Sequence, residues 1–319
     1  MKAAVVKSKG EAPVYADFDE PAAVSGQHLI HVSAAALSHV TRSRAAGSHY
    51  SSGSGFPFVA GVDGTGRLED GQRVYFFKPH APFGAMAERS LAQANHCIAL
   101  PDAVDDVTAA AMAIPGMSSW AALIERARFV AGETVLVNGA TGTSGRLAVQ
   151  IAKHLGARRV IATGRNAASL ESLKAAGADT TISLEQSEAD LTRALEAQFS
   201  QGVDVVLDYL WGPSAQALLV AAAKASPDDH PVRFVQIGAV SGEDIQLPGA
   251  VLRSANITLL GSGMGSVPLA RLLHAMKAVF DAAAVASWQV DTIAVPLAQL
   301  SAHWEHANSQ QRTVFVPAP

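Results

Sequence analysis

The sequence predicts an α/β protein, in which a β-rich segment precedes a doubly wound parallel sheet of six strands. Three observations predict it. From residue 133 onward, short β-branched runs alternate with helix-like runs, the pattern of a parallel sheet covered on both faces. A turn of small residues, NGATGTSG at 138–145, stands between the apolar run Glu133-Thr134-Val135-Leu136-Val137 and the helix-like run that begins Arg146-Leu147-Ala148. The chain ahead of residue 100 reads differently, with Gly, Pro and Ser breaking up short alternating stretches.

In chain order, the early β-rich part offers strands at 28–33 and 73–77, with Glu69-Asp70-Gly71-Gln72 as a turn. The Ser51-Ser52-Gly53-Ser54-Gly55 stretch reads as a mobile loop. Strands of the sheet are expected at 134–137, 159–163, 180–183, 204–210, 232–237 and 256–260, the count of a full dinucleotide-binding fold. Helices are expected at 145–155, 167–176 and 187–199 between the early strands, and at 268–280 after the last. A strand at 292–295, a helix at 297–308 and a strand at 313–316 close the chain. They are expected to return to the first domain, which makes the cofactor domain an insertion.

Composition narrows the function. In 319 residues, 49% are hydrophobic and 16% charged, a core-rich balance with room for about two domains of roughly 150 residues. A net charge of −4 gives no general attraction to nucleic acid or an anionic membrane. One cysteine, Cys97, excludes an internal disulfide framework and fits a reducing compartment. The opening MKAAVVKSKGEAP is too short in its apolar part for a signal peptide, and no run reads as a membrane span. A cytoplasmic protein is the expectation.

The small-residue turn carries the chemistry. The dinucleotide fingerprint is G-x-G-x-x-G after a strand; here it reads Ala140-Thr141-Gly142-Thr143-Ser144-Gly145, with alanine in the first place. Such a turn lets backbone N–H groups approach a pyrophosphate at a helix N-terminus, whose partial positive charge adds to the attraction. About 20 residues on, an NAD site carries Asp or Glu to accept from the ribose 2′-hydroxyl. Here the second strand ends in Gly164-Arg165-Asn166 with no carboxylate. Arginine can instead pair a 2′-phosphate through two parallel hydrogen bonds, so NADPH is the expected cofactor. Eleven histidines are present. His28 and His31 fall in one strand and point to opposite faces, and His303 and His306 fall in a late helix, so no metal site is expected.

With FPFVAGVDGTG (56–66), EDGQRVYF (69–76), PFGAMAERSL (82–91), PGMSSWAAL (115–123) and NGATGTSGRLAVQIAKHLGA (138–157), the chain resembles the zinc-independent quinone oxidoreductases of the medium-chain dehydrogenase/reductase superfamily over essentially its whole length. The resemblance implies a GroES-like β-rich catalytic domain (1–114 and 263–319), a Rossmann domain (115–262), and a cleft between them where nicotinamide meets substrate. At the positions where zinc-dependent relatives hold metal, this chain has Ser38, Val62 and Pro115; valine and proline offer no donor atom. Without a Lewis acid, quinones and α,β-unsaturated carbonyls are the easier hydride acceptors, because delocalisation carries charge away from the carbon attacked.

By the same resemblance, Tyr50 and Ser38 are the candidate catalytic residues, as wall or hydrogen-bond donor, with Asp63 organising the site. Gly238, Ala239, Gly261 and Ser262 are implied contacts of the nicotinamide, and Arg312 joins Arg165 at the phosphate. Trp211, Phe83 and Met264 are candidate pocket residues. A homodimer joined edge to edge through the sixth strand is implied as well. An enoyl-thioester reductase and a catalytically silent NADPH sensor remain as alternatives. A short-chain dehydrogenase is disfavoured because Tyr209 is followed by Pro213 where that family needs lysine.

Overall fold

The computed structural model describes residues 1–48, 55–286, 288, 290–305 and 311–318. It divides into two compact units, one of Met1–Ile114 with Phe280–Pro319 and one of Pro115–Val279. The α/β architecture, with a β-rich GroES-like unit and a Rossmann unit, follows from the strand order below.

The first unit is built from β1 (Lys2–Val6), β2 (Val14–Asp17), β3 (Gln27–Ala36), the short helix α1 (His39–Ala45), β4 (Phe58–Val59), β5 (Asp63–Arg67), β6 (Arg73–Phe77), β7 (Arg89–Gln93) and β8 (Cys97–Ala99). One sheet runs β2-β1-β4; β3, β5, β6 and β8 are neighbours in another, with β7 also on β3. Alternation along β3 buries Ile30 and Val32 against Val74, Phe76 and Met86, as period-two side chains on a half-buried strand require. The helix α2 (Asp106–Ala121), with the π-turn that follows at Ala122–Arg126, has the length and apolarity of a membrane span. This corrects the expectation that no run does. Of its most apolar window, 67% is buried within the protein, as in a core helix.

The second unit contains β9 (Thr134–Asn138), α3 (Thr143–His154), β10 (Arg159–Gly164), α4 (Ala167–Ala175), β11 (Thr180–Ser183), α5 (Glu188–Phe199), β12 (Val205–Asp208), α6 (Gly212–Ala225), β13 (Val232–Gln236), α7 (Gly249–Ser254) and β14 (Ile257–Gly261). The order β11-β10-β9-β12-β13-β14 is parallel throughout. Chain order reverses between β9 and β12, so their carboxyl ends form the topological switch point where such sheets bind ligands. The apolar runs of β9 and β12 are fully buried because α-helices cover both faces.

The helix α8 (Leu269–Ala286) precedes β15 (Thr292–Pro296), α9 (Leu300–His303) and β16 (Arg312–Val316). β16 pairs with β3, and β15 with β16. The return to the first unit falls at Phe280 rather than at residue 263. The reason is local: Arg271 Nη2 pairs with Glu125 at 2.8 Å, and Arg126 donates to the Gly261 carbonyl at 2.7 Å. The late helix expected over 297–308 is shorter, a 3-10 turn at Leu297–Gln299 running into α9.

Candidate active site

Small residues let the glycine turn close tightly onto the sheet. Gly139, not the first fingerprint position, takes the left-handed backbone, at φ +87°, which is why Ala140 is tolerated there. Ala140 is buried and its N–H donates to the Thr163 carbonyl at 2.8 Å. A Cβ on Gly145 would lie 2.3 Å from the Gly139 carbonyl oxygen, so only glycine allows α3 to seat against β9. No side chain caps α3 at Gly142. The first-turn N–H groups of Thr143, Ser144 and Gly145 therefore face outward with the helix dipole behind them. Thr141 packs against Gly164 at the end of β10.

Behind this turn lies a buried polar network that sequence reading missed. Asn138 Nδ2 donates to Asp208 Oδ1 at 2.8 Å and to Ser214 Oγ at 2.9 Å. Thr163 Oγ donates to Asn138 Oδ1 at 2.6 Å. Asn138, Thr163 and Asp208 are fully buried and stand side by side in register on β9, β10 and β12. The Asp208 carboxylate also accepts from the N–H groups of Leu210 and Trp211. Burial pushes its pKa up, and these hydrogen bonds oppose the shift. One carboxylate thus ties three strands to the loop that follows β12. The only advance signal was polar residues closing three otherwise apolar strands.

That loop is strained. Trp211 sits at φ 57°, ψ −157°, a region that is essentially glycine's and costs about 1–3 kcal/mol for other residues. Next to it, a Cβ on Gly238 would lie 2.6 Å from the Tyr209 carbonyl oxygen, so the loops after β12 and β13 touch backbone to backbone. Tyr209 is buried, its hydroxyl 2.7 Å from Ser119 Oγ; burial pushes its pKa up to about 12. Ser262 N–H donates to the Gln236 carbonyl at 2.8 Å, and Gln236 Nε2 donates to the Gly238 carbonyl at 3.0 Å. The expected contacts Gly238, Ala239, Gly261 and Ser262 thus fall at adjacent strand ends, on β13 and β14.

Several expected side chains have other work. Asn166 caps α4, its Oδ1 accepting from Ser169 N–H at 2.8 Å. Ser38 is buried and caps α1, accepting from Thr41 N–H at 2.9 Å with Thr41 Oγ at 2.8 Å. Its hydroxyl is thus hydrogen-bonded within its own helix. Phe83 packs edge-on against Phe18 at 6.1 Å. Arg165, by contrast, is exposed just beyond β10 and has no partner among the described residues. Tyr50 and His306 lie outside the described residues.

Arg312 belongs to β16 of the first unit, whereas Arg165 belongs to the second. Its Nε and Nη2 are buried without partners, free donors suited to an anion. Its charge acts on Asp63 and Tyr75. Tyr75 Oη donates to Asp63 Oδ2 at 3.1 Å, while Asp63 Oδ1 has no partner. Burial pushes the Asp63 carboxyl up to about 7, against the pull of Arg312 and Tyr75. His39 is held down by burial and by Arg312 and Arg42.

At the three positions where the resemblance aligns metal ligands, a zinc ion does not fit: Ser38 Oγ accepts from Thr41 N–H, and Val62 and Pro115 carry no donor atom. No group of three or more His, Cys, Asp or Glu arranged for a metal occurs among the described residues.

Comparison with known proteins adds to this geometry. A family model described as zinc-binding dehydrogenase matches residues 145–283. The chain is 28% identical over 359 residues, 99% of its length and 100% of the relative's, to a protein of Emericella nidulans named probable NADPH-dependent quinone reductase tdiC. It is also 28% identical over 204 residues to the trans-enoyl reductase pgmF of Aspergillus terreus, across 59% of this chain and 54% of that protein. Among solved structures, the quinone oxidoreductase of Thermus thermophilus superposes with a TM-score of 0.82 at 24% identity, covering 99% of this chain and 100% of that one. At that identity the likeness speaks for the fold.

Proposed function

We propose that this chain, a member of the zinc-independent quinone oxidoreductase family of the medium-chain dehydrogenase/reductase superfamily, is an NADPH-dependent oxidoreductase that reduces a quinone or an α,β-unsaturated carbonyl. The observation that carries the reading is the uncapped amino end of α3 at the sheet's switch point, beside a second strand that ends in exposed Arg165 instead of an acid. Full-length similarity to a protein named as an NADPH-dependent quinone reductase supports it.

When bound, the dinucleotide supplies a hydride. The chain's own residues do the rest. Thr141, Gly142, Thr143, Ser144 and Gly145 offer backbone N–H groups and small side chains to the pyrophosphate. Arg165 pairs the 2′-phosphate. Gly238, Ala239, Gly261 and Ser262 present backbone at the ends of β13 and β14 to the nicotinamide, and the N–H groups of Ile237 and Gly238, donating to the Asp208 carbonyl at 2.7 and 3.2 Å, hold the end of β13. Arg312, with two free buried donors, is a second anion contact. Holding donor and acceptor carbons close then supplies the main rate gain. The edge position of β14 and its exposed Leu259 support a homodimer joined along that strand.

Partial similarity to a trans-enoyl reductase keeps an enoyl-thioester acceptor as the second reading. The test is oxidation of NADPH and NADH with a panel of quinones, enones and enoyl thioesters, with metal analysis and chelator controls. Preferred NADPH oxidation with quinones or enones, unchanged by chelator, is the expected result. Turnover only with thioesters selects the second reading. NADPH binding without turnover of any acceptor, or activity that chelator removes and zinc restores, overturns the proposal.

A further inference from the structure

We propose that Asp63 is the third donor of an oxyanion site in the first unit: it keeps a proton and gives it as a hydrogen bond to a singly charged oxyanion seated on one edge of the Arg312 guanidinium. This rests on the reading above only in giving Arg312 an anion.

Topology brings the groups together. β3 lies between β16 and β5 and runs antiparallel to both. Its register with β16 puts Ala36, its last residue, opposite Val314. Arg312 opens β16 and Asp63 opens β5, so both stand where β3 ends and the chain turns into α1. Tyr75 comes from β6, on the far side of β5.

The unpaired atoms have the composition of an anion cradle. Arg312 Nε and Nη2 are shielded from solvent and have no partner among the described residues. They form one edge of the guanidinium, whose parallel N–H groups match two oxygens of a carboxylate or a phosphate. Asp63 Oδ2 accepts from Tyr75 at 3.1 Å. A proton on this carboxyl therefore sits on Oδ1, which is buried and has no partner. Two N–H donors and one O–H donor result, with no acceptor for them. Buried polar groups are ordinarily paired, and one oxyanion answers all three.

Charge favours the same arrangement. Arg312 draws the Asp63 carboxyl down, against the burial that pushes it up to about 7. An anion on the Arg312 edge cancels that pull and adds a negative charge next to Oδ1. Both effects retain the proton, so binding takes one up. Among the described residues, the other groups acting here do not titrate near pH 8. Tyr75 is pushed well above its ordinary 10 by burial and by Asp63. His39 is held down by burial, Arg312 and Arg42, and is neutral. Both arginines stay charged, and Glu305 acts on Arg42. One guanidinium beside a neutral carboxyl balances a single negative charge, so a buried dianion is disfavoured.

The test is titration calorimetry of the full chain at pH 6 and pH 8, in buffers of different ionisation enthalpy, which counts protons taken up on binding. Two sources of the oxyanion are compared: NADP+, for the pyrophosphate of the dinucleotide, and benzoate, for a carboxylate on the acceptor. With a free value of about 7, Asp63 holds about 0.1 proton at pH 8 and about 0.9 at pH 6. The seated ligand should therefore take up roughly 0.5–0.9 proton at pH 8 and about 0.1 at pH 6, and bind about tenfold more weakly at pH 8, all measured against Asp63→Asn. That variant should show no uptake and no such weakening, because its amide N–H donates at every pH. Arg312→Lys, which loses the parallel pair, should weaken binding about tenfold at both pH values. His39→Gln should keep the uptake at pH 8. Uptake with NADP+ assigns the oxyanion to the dinucleotide, and uptake with benzoate assigns it to the acceptor. Uptake with benzoate where NADP+ does not bind sinks the preceding reading and leaves this one standing. Binding without uptake from either ligand, uptake that survives Asp63→Asn, or no binding of either, overturns the proposal.

Discussion

Asp63 offers a quantitative test of the first unit. Its carboxyl is 1% exposed, has one oxygen without a partner, and is pushed by burial from 3.8 up to about 7. A carboxyl whose folded pKa is raised contributes stability that is complete below the unfolded pKa and is lost as pH rises through the folded value. The window here runs from about pH 4 to pH 7, and at 1.36 kcal/mol per unit the loss amounts to about 4 kcal/mol. Asp63→Asn keeps the shape and the bond from Tyr75 but cannot titrate. Any cost of the buried amide is the same at every pH. Urea unfolding of both proteins from pH 4 to pH 8 should therefore show curves that converge toward low pH and separate by about 4 kcal/mol in favour of the variant at pH 7 and above, relative to their offset at pH 4. A carbonyl stretch of a protonated carboxyl, present in the wild type at pH 6 and lost by pH 8, is the spectroscopic counterpart. Parallel stability curves would refute the buried, nearly unpaired placement of this side chain.

Three further outcomes follow from the geometry. Arg165→Ala should raise KM for NADPH about tenfold and leave KM for NADH within about twofold, since one exposed charge-assisted pair to a phosphate is removed; equal effects in steady-state assays would remove the phosphate assignment. Ser38→Ala should cost about 1 kcal/mol in urea unfolding, the usual cost of a lost helix cap, while kcat and both KM values stay within about twofold; a large fall in kcat would restore its role as a donor to substrate. Asn138→Ala should cost about 3–4 kcal/mol, because it deletes two donors and an acceptor and leaves the Thr163 hydroxyl proton without its acceptor in the core; a loss under about 1 kcal/mol in the same assay would mean the network is slack.

Much of the second unit could be read in advance, because a covered parallel sheet writes itself as apolar β-branched runs, and helices between them write a different period. All six strands of that unit fall on the expected segments, with ends moved by a residue or two at Asn138, Gly164, Val205, Asp208, Gln236, Ile257 and Gly261. The late helix was overread because Leu297 and Leu300 keep a helical spacing through a stretch that folds first as a 3-10 turn. Spacing alone does not separate the two when only one turn is involved.

The site was less legible. Ser38 was named from the resemblance and Asn166 from the end of the second strand, and neither reading took account of the helix that each residue precedes. A side-chain oxygen in that place meets an unsatisfied N–H of its own backbone before any ligand arrives. The same logic runs in reverse at α3, where Gly142 leaves the cap position without a side-chain oxygen. An anion-binding helix is thus marked by what its cap residue lacks, and α1 and α4 are marked as structural by what theirs supply. Asp208 takes this one step further. It satisfies N–H groups in a loop instead of a helix, and its cost in burial is recovered only because two of those groups belong to a backbone that would otherwise relax. No period or motif announces such a residue. It becomes visible only when each buried carboxylate is asked which donors it holds and what those donors would do without it.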